Sequence, residues 1–439
     1  MKKIFALILI PFAVHAQTTL PLKMEAYMKA QASIAHFSGT VLVAQKGKVI
    51  YSNAFGEADR EWHVKNTVAG KYRIGSITKQ FTAACILSLE ERGKLSLDDK
   101  LSKYLPDFPQ GEQVTIHMLL NQTTGIVDYT SLPETDLHAE VLDVAPADFI
   151  HSFQHQPYLF TPGTQWAYSN SNYFLLGYIV EKITGQPFAD YLKVITDKAG
   201  LKNTGMDRPD TILPYRTHGY WGDYNIPFYT MSGPYAAGGM YSTVNDLLAW
   251  DQALLGNKIL SAATTKKMTT AYMGKYGYGL FVDSLATHPR IWHTGGIPGY
   301  RSVISWYKDG DFNVIVLSNN ESNAQYIGGA LAGIMLNMPV VNPYIHKPVA
   351  INNALIDNYV GAYTGNPTIE LIRKEHKLYR RVNGGEDIEL IPESDKKFYY
   401  ADGTDRQVEF VTHAGTGKVE KAYFITGGLK VAYERMPDL

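Results

Sequence analysis

Apolar and polar positions change their period several times along the chain. A helical pattern over roughly Leu22 to His36 leads into two apolar runs, Gly39–Ala44 and Val49–Phe55, joined by Lys46-Gly47-Lys48. Apolar runs on both sides of a Gly-containing turn predict a β-hairpin. From Ser76 the pattern becomes a mostly apolar helix that runs to Glu91-Arg92 and stops at Gly93, where glycine supplies the usual helix terminus. Helices and loops dominate from about Leu95 to Asp251. Strand patterns return at Tyr276–Val282, Tyr300–Lys308 and Phe312–Asn319, and a helix follows over about Asn323 to Leu336.

Strands therefore flank a helical middle. The predicted fold class is α/β of the α+β kind: one antiparallel sheet formed by both ends of this region, packed on an inserted helical subdomain. Pro339, Pro343 and Pro348 mark a linker over 341–350, so the main domain is expected over 17–340. Residues 351–439 are short strand-like runs with turn signals at Asn383-Gly384-Gly385 and Asp402-Gly403. They predict a separate small all-β barrel.

The first sixteen residues read as a secretory signal peptide: Lys2 and Lys3, an apolar run from Ile4 to Val14, then Ala16 as the cleavage-site residue. That run is too short, and too broken by Pro11, to span a bilayer core of ~30 Å. No later stretch reaches the ~18 apolar residues of a membrane span. A periplasmic or secreted protein is expected. Lys and Arg number 41 against 42 for Asp and Glu, a net charge of −1, so no basic face for nucleic acid is expected. Cys85 is the single cysteine and has no internal disulfide partner.

Three short motifs carry chemistry. Ser76-Ile-Thr-Lys79 opens the apolar helix, and a spacing of three puts both side chains on one face. The free N–H groups of a helix start suit a developing oxyanion. The same spacing recurs at Ser305/Lys308, within a predicted strand that sends the two to opposite faces, and at Ser394/Lys397, in a charged turn. Tyr168-Ser169-Asn170 precedes a second apolar helix. A tyrosine beside a lysine relays protons, and an asparagine amide holds a carbonyl; Tyr51-Ser52-Asn53 repeats this pattern inside the hairpin. His293-Thr294-Gly295-Gly296 precedes the strand at Tyr300, and its glycines let a substrate backbone approach. Two further candidates are weaker. His151 and His155 are spaced i, i+4, but Ser152 stands where a zincin-type site has glutamate. Cys85 lies about 180° round the helix from Ser76 and reads as a small buried hydrophobe. No metal or cofactor is expected.

In their order, these motifs resemble the serine β-lactamase and penicillin-binding superfamily, nearest the class C branch with its D-alanyl-D-alanine carboxypeptidases, D-aminopeptidases and β-lactamase-fold esterases. Supporting stretches are Thr115–Gly125, Pro162-Gly163 and Ala237–Thr243. The tail from Tyr359-Val-Gly-Ala-Tyr363 is similar to the lipocalin-like domain of some such hydrolases. The resemblance implies that Ser76 is the nucleophile of an acyl-enzyme, that Lys79 and Tyr168 share the base work, and that Asn170, His293, Thr294 and Gly295 meet a small-molecule or peptide substrate. The N–H groups of Ser76 and Gly296 would form the oxyanion hole. Family β-lactamases carry lysine where this chain has His293. A histidine with ordinary pKa ~6.5 is a weaker carboxylate clamp. The expectation is a peptidase, D-stereospecific or carboxypeptidase-like, or an esterase; the alternative is a β-lactamase or a slow-turnover penicillin-binding protein.

Overall fold

The computed structural model describes residues 12–132, 142–208, 210–365, 367–413, 415 and 418–437. The signal-peptide reading over 1–16 falls mostly outside the described residues. Contacts divide the chain into two compact units, Phe37–Gly328 and the part from Gly329 onward together with the N-terminal helix α1 (Phe12–Ile34). The expected main domain, 17–340, includes that helix. Its grouping with the C-terminal unit rests on long-range pairing, such as the Tyr27 hydroxyl donating to the Gly427 carbonyl at 2.6 Å, which no local pattern reveals.

The larger unit is built on a six-stranded antiparallel sheet. Its strands are β1 (Gly39–Gln45), β2 (Lys48–Phe55), β3 (Phe281–Leu285), β4 (His288–Ile297), β5 (Tyr300–Tyr307) and β6 (Phe312–Ser318). They lie in the order β3-β4-β5-β6-β1-β2. Early and late parts of the unit meet where β1 pairs with β6, Gly39 opposite Ser318 and Gln45 opposite Phe312. All of β6 and nearly all of β1 are buried, which is why both are almost continuously apolar: a strand covered on both faces has no polar face to show. The expected strand at Tyr276–Val282 begins only at Phe281. β4 was missed altogether, since Pro289 and two glycines break its apolar pattern while ladder hydrogen bonds to β5 hold it extended.

Helix α2 (Thr78–Glu91) is buried along its whole length from Thr78 to Leu89, and a helix enclosed on all sides has to be apolar all round. Phe81 stacks on Trp250 at 3.8 Å, and the Trp250 indole N–H donates to the Gln80 side-chain carbonyl at 2.9 Å. Trp250 belongs to the helix Val244–Leu255, which packs on β1 and β6. The helix α3 (Asn170–Thr184) lies against α2.

The C-terminal unit contains a closed eight-stranded barrel of sequential antiparallel strands, from Gly361–Thr364 to Leu429–Arg435, with Tyr363 of the first opposite Arg435 of the last. Side chains fill its interior, as in the smallest barrels. Phe398, Phe410 and Tyr363 are buried there, and Tyr359 from the preceding short helix stacks on Phe410 at 4.1 Å. Among the described residues no helix is long and apolar enough to cross a membrane.

Asp251 is buried beneath the sheet, and desolvation raises its pKa from the ordinary 3.8 to about 7, with an amide hydrogen bond from Asn313 (2.8 Å) working in the opposite direction. The folded chain therefore holds this proton where the unfolded chain has released it. The associated stability is complete below about pH 4 and is lost as the pH rises to about 7. Asp251→Asn, neutral throughout, should flatten the fall of Tm between these limits in scanning calorimetry. Parallel curves for the two proteins would show that Asp251 is ionised across the range.

Candidate active site

Three segments distant in sequence converge on Ser76. The serine sits in a 3₁₀ turn, Gly75–Ile77, that feeds directly into α2. Gly75 has φ +51°, and a Cβ there would lie 2.8 Å from the Gly296 nitrogen. Only glycine satisfies both the left-handed backbone and the close approach. The preceding carbonyl, Ile74, accepts from the Ser302 hydroxyl at 2.8 Å, which ties the turn to β5. The turn thus rests against β4 at Gly295-Gly296. β3 pairs with β4 only from His288 to Trp292, so beyond Trp292 the outer side of β4 carries no strand partner among the described residues.

Lys79 is fully buried one helical turn from Ser76. Its Nζ lies 2.9 Å from Ser76 Oγ, 2.7 Å from Asn170 Oδ1 and 2.8 Å from the Ala237 carbonyl oxygen. As an ammonium it donates to all three. As a neutral amine it donates to the two carbonyl-type oxygens and turns its lone pair on the serine hydroxyl. Burial lowers the Lys79 pKa to about 7, with the Asp128 charge pulling the other way. Both states are therefore populated near neutrality.

Asn170 opens α3, and its amide is fully oriented: Oδ1 accepts from Lys79, while Nδ2 donates to the Asp128 carboxylate at 3.0 and 3.2 Å. Asp128 carries no motif signal and was not singled out from sequence; only its place beside Asn170 reveals it. Gln122 was missed for a similar reason, although it lies in a stretch read as supporting. It adopts φ +68° at the end of a short helix, where its Oε1 accepts from the Ser169 N–H (3.1 Å) and the Asn172 amide (2.6 Å). It thereby fixes the loop that presents Tyr168. The Tyr168 ring lies 4.8 Å from Lys79 Nζ. Burial raises its pKa above the ordinary phenol range, opposed by a hydrogen bond with Ser76.

His293 departs from expectation. Its ring is 1% exposed. Nδ1 lies 2.6 Å from the Thr294 carbonyl oxygen, an acceptor only, so Nδ1 carries the proton. Nε2 then accepts from the Tyr276 hydroxyl at 3.1 Å. Both ring nitrogens are spent within the protein. Burial, and secondarily the Lys79 charge, push its pKa down to about 3. The sequence reading expects an imidazole of ordinary pKa, mostly neutral at pH 7, beside the substrate; in the fold the ring of this β4 residue is buried, and burial holds it neutral. What faces the cleft here is Gly296, which is exposed.

A cleft of about 260 Å³ is lined by Ser76, Asn170 and Gly296 together with Tyr129, Tyr229 and Pro298. The remaining candidates lie elsewhere. Ser305 is buried in β5 and Ser394 ends a barrel strand. His151 ends a short helix and His155 lies beyond it, so the two share no helix face. Cys85 is buried, and burial raises its thiol pKa.

Comparison with known proteins shows the family to which this fold and sequence belong. The family model described as Beta-lactamase matches residues 24–332. A penicillin-binding protein of Bacillus subtilis is 30% identical over 398 residues, covering 83% of this chain and 88% of the relative. Among solved structures, a D-stereospecific amidohydrolase from Streptomyces is 27% identical with a TM-score of 0.61, covering 73% of this chain and 98% of its own. The octameric penicillin-binding protein homologue from Pyrococcus abyssi is 25% identical with a TM-score of 0.67, covering 93% of this chain and 99% of its own. With a buried lysine on a helix-start serine, and with the family match running through all three motifs, this chain belongs to the beta-lactamase family.

Proposed function

We propose that the chain is an exported serine hydrolase that cleaves an amide or ester through an acyl-enzyme on Ser76, acting as a D-stereospecific or carboxypeptidase-like peptidase or as an esterase. The observation that carries this reading is the 2.9 Å approach of a desolvated Lys79 amine to Ser76 Oγ. A serine hydroxyl is a poor nucleophile until a neighbouring base takes its proton. Neutral Lys79 accepts that proton as Ser76 Oγ bonds to the substrate carbonyl carbon. The N–H groups of Ser76 and Gly296 stabilise the resulting oxyanion. Lys79, now an ammonium, returns the proton to the departing amine or alkoxide, with the Tyr168 hydroxyl as relay. Water then releases the acyl group by the same steps. Of the two base candidates, Lys79 is favoured over Tyr168, because burial makes the amine easier to deprotonate and the phenol harder.

The neutral His293 favours substrates without a carboxylate beside the scissile bond, and so supports the D-stereospecific peptidase or esterase reading over a carboxypeptidase-like one or an efficient β-lactamase. At a pKa of about 3 it supplies no positive charge for a carboxylate next to the scissile bond at any working pH. The first sixteen residues support export, by their charge and apolar pattern.

Intact-protein mass spectrometry after incubation with a penicillin, a p-nitrophenyl ester and a D-amino-acid amide tests the proposal. The ester or the amide should acylate Ser76 and clear quickly. Persistent labelling by penicillin alone would instead make the protein a slow-turnover penicillin-binding protein. Ser76→Ala should abolish labelling, and labelling that survives in this variant removes Ser76 from the mechanism. Lys79→Ala should lower kcat/KM at least ~100-fold, the usual contribution of a positioned base.

The pH profile separates the two bases. Lys79 works as a neutral amine, so kcat/KM should rise with pH and level off above about 7. A rate still climbing beyond pH 9 would assign the base to Tyr168. The Asp128 carboxylate holds the Lys79 pKa up. Asp128→Asn keeps an acceptor for the Asn170 amide but removes the charge, so the same limb should move to lower pH. An unmoved limb would show that Asp128 acts on Lys79 only through structure.

A further inference from the structure

Beside the cleft lies a second cavity of about 350 Å³, and Tyr229 lines both. Its wall gathers three cations, Lys71, Arg73 and Arg216, around one buried carboxylate, Asp207. Arg73 Nε donates to Asp207 Oδ2 at 2.7 Å, and Arg216 Nη2 donates to Asp207 Oδ1 at 2.9 Å. The single carboxylate is thereby used twice. Lys71 is 9% exposed, and its ammonium sits 5.9 Å over the Tyr241 ring. Among the described residues it forms no ion pair. Arg216 Nε is likewise buried and finds no hydrogen-bond acceptor among the described residues.

The backbone holds these charges together rather than letting them part. Lys71 and Arg216 form a parallel bridge, with the Lys71 N–H donating to the Tyr215 carbonyl at 2.8 Å and the Thr217 N–H donating to the Lys71 carbonyl at 3.1 Å. Three cations thus share one buried carboxylate, and the excess positive charge of the cluster is suited to a further anion. Glu61 also lines the cavity, but at its open side, where it accepts from the Asn225 amide at 2.6 Å. Ile226 and Phe228 add an apolar wall. The cavity is tied to the catalytic turn through Arg73, three residues before Ser76, whose Nη2 donates to the Tyr229 carbonyl at 3.1 Å.

We propose that this cavity is an anion subsite that receives a carboxylate carried on an aliphatic stem of the substrate, several bonds away from the scissile carbonyl. The inference rests on the hydrolase reading and narrows its substrate class to acidic amides or esters. It also complements the neutral His293: charge that the cleft lacks beside the reacting bond is supplied one cavity further out.

The test uses the full chain and mono-p-nitrophenyl esters of straight-chain dicarboxylic acids from succinate to suberate, each against its methyl-capped counterpart. In the unmodified protein the ratio of kcat/KM, acid over methyl ester, should peak at one chain length and fall as salt is raised, since charge recognition is screened. Lys71→Met should cut that ratio about tenfold, the scale of one charge-assisted contact. A ratio that is flat with chain length and salt, or that stays within twofold in Lys71→Met, overturns the proposal. A second measurement needs no hydrolysis: calorimetric titration of adipate or suberate into Ser76→Ala. If neither ester of a pair turns over, the hydrolase reading fails on its own. Diacid binding to Ser76→Ala that Lys71→Met weakens about tenfold would then still uphold the subsite, and absence of binding would overturn it.

Discussion

Lys79 has lost all contact with water, and in exchange it has only the neutral oxygens of Ser76, Asn170 and Ala237. A carboxylate in contact would have kept the amine protonated, while open solvent would have left its pKa near 10.5. The arrangement lies between these limits, with Asp128 acting through Asn170 rather than touching the lysine. Much of the surrounding architecture serves to maintain that balance. The enclosed helix α2 excludes water from below, α3 brings Asn170, and the short helix Tyr235–Gly238 offers the Ala237 carbonyl.

The same desolvation acts on two ionisable neighbours of Lys79, each according to its charge type. It drives the Tyr168 phenol up and the His293 imidazole down, so both stay neutral while Lys79 is poised to titrate. One dry pocket thus leaves a single group free to exchange a proton near neutrality. Separating the pKa values of adjacent groups in this way is how acid and base roles are assigned within one site.

Local features of this design were legible in the sequence and long-range ones were not. Ser76 and Lys79 share a helix face by their spacing alone, and the apolar run after them signals a buried helix. The sheet from both ends of the unit and the all-β tail followed from strand-like runs between turns. Strand β4 escaped notice because its identity comes from pairing with β5, whereas its own residues, with Pro289, Gly295 and Gly296, read as a turn. The state of His293 depends on Tyr276, seventeen positions earlier, and on burial. Asp128 and Gln122 gain their roles only from what the fold sets beside them. The N-terminal helix joined the C-terminal unit through contacts spanning 400 residues.

The side of β4 beyond Trp292, unpaired among the described residues, has a consequence for association. A free strand edge offers a row of main-chain donors and acceptors, and any extended chain can complete it. Gly296, exposed on this stretch, adds no side chain of its own there. An open edge is also a standing invitation to self-association, and the rest of the chain limits it. β2, at the far side of the sheet, pairs through a bulge and begins with an exposed lysine, and the barrel closes on itself with no edge at all. Among the described residues, the free stretch of β4 after Trp292 is short and lies against the turn that carries Ser76.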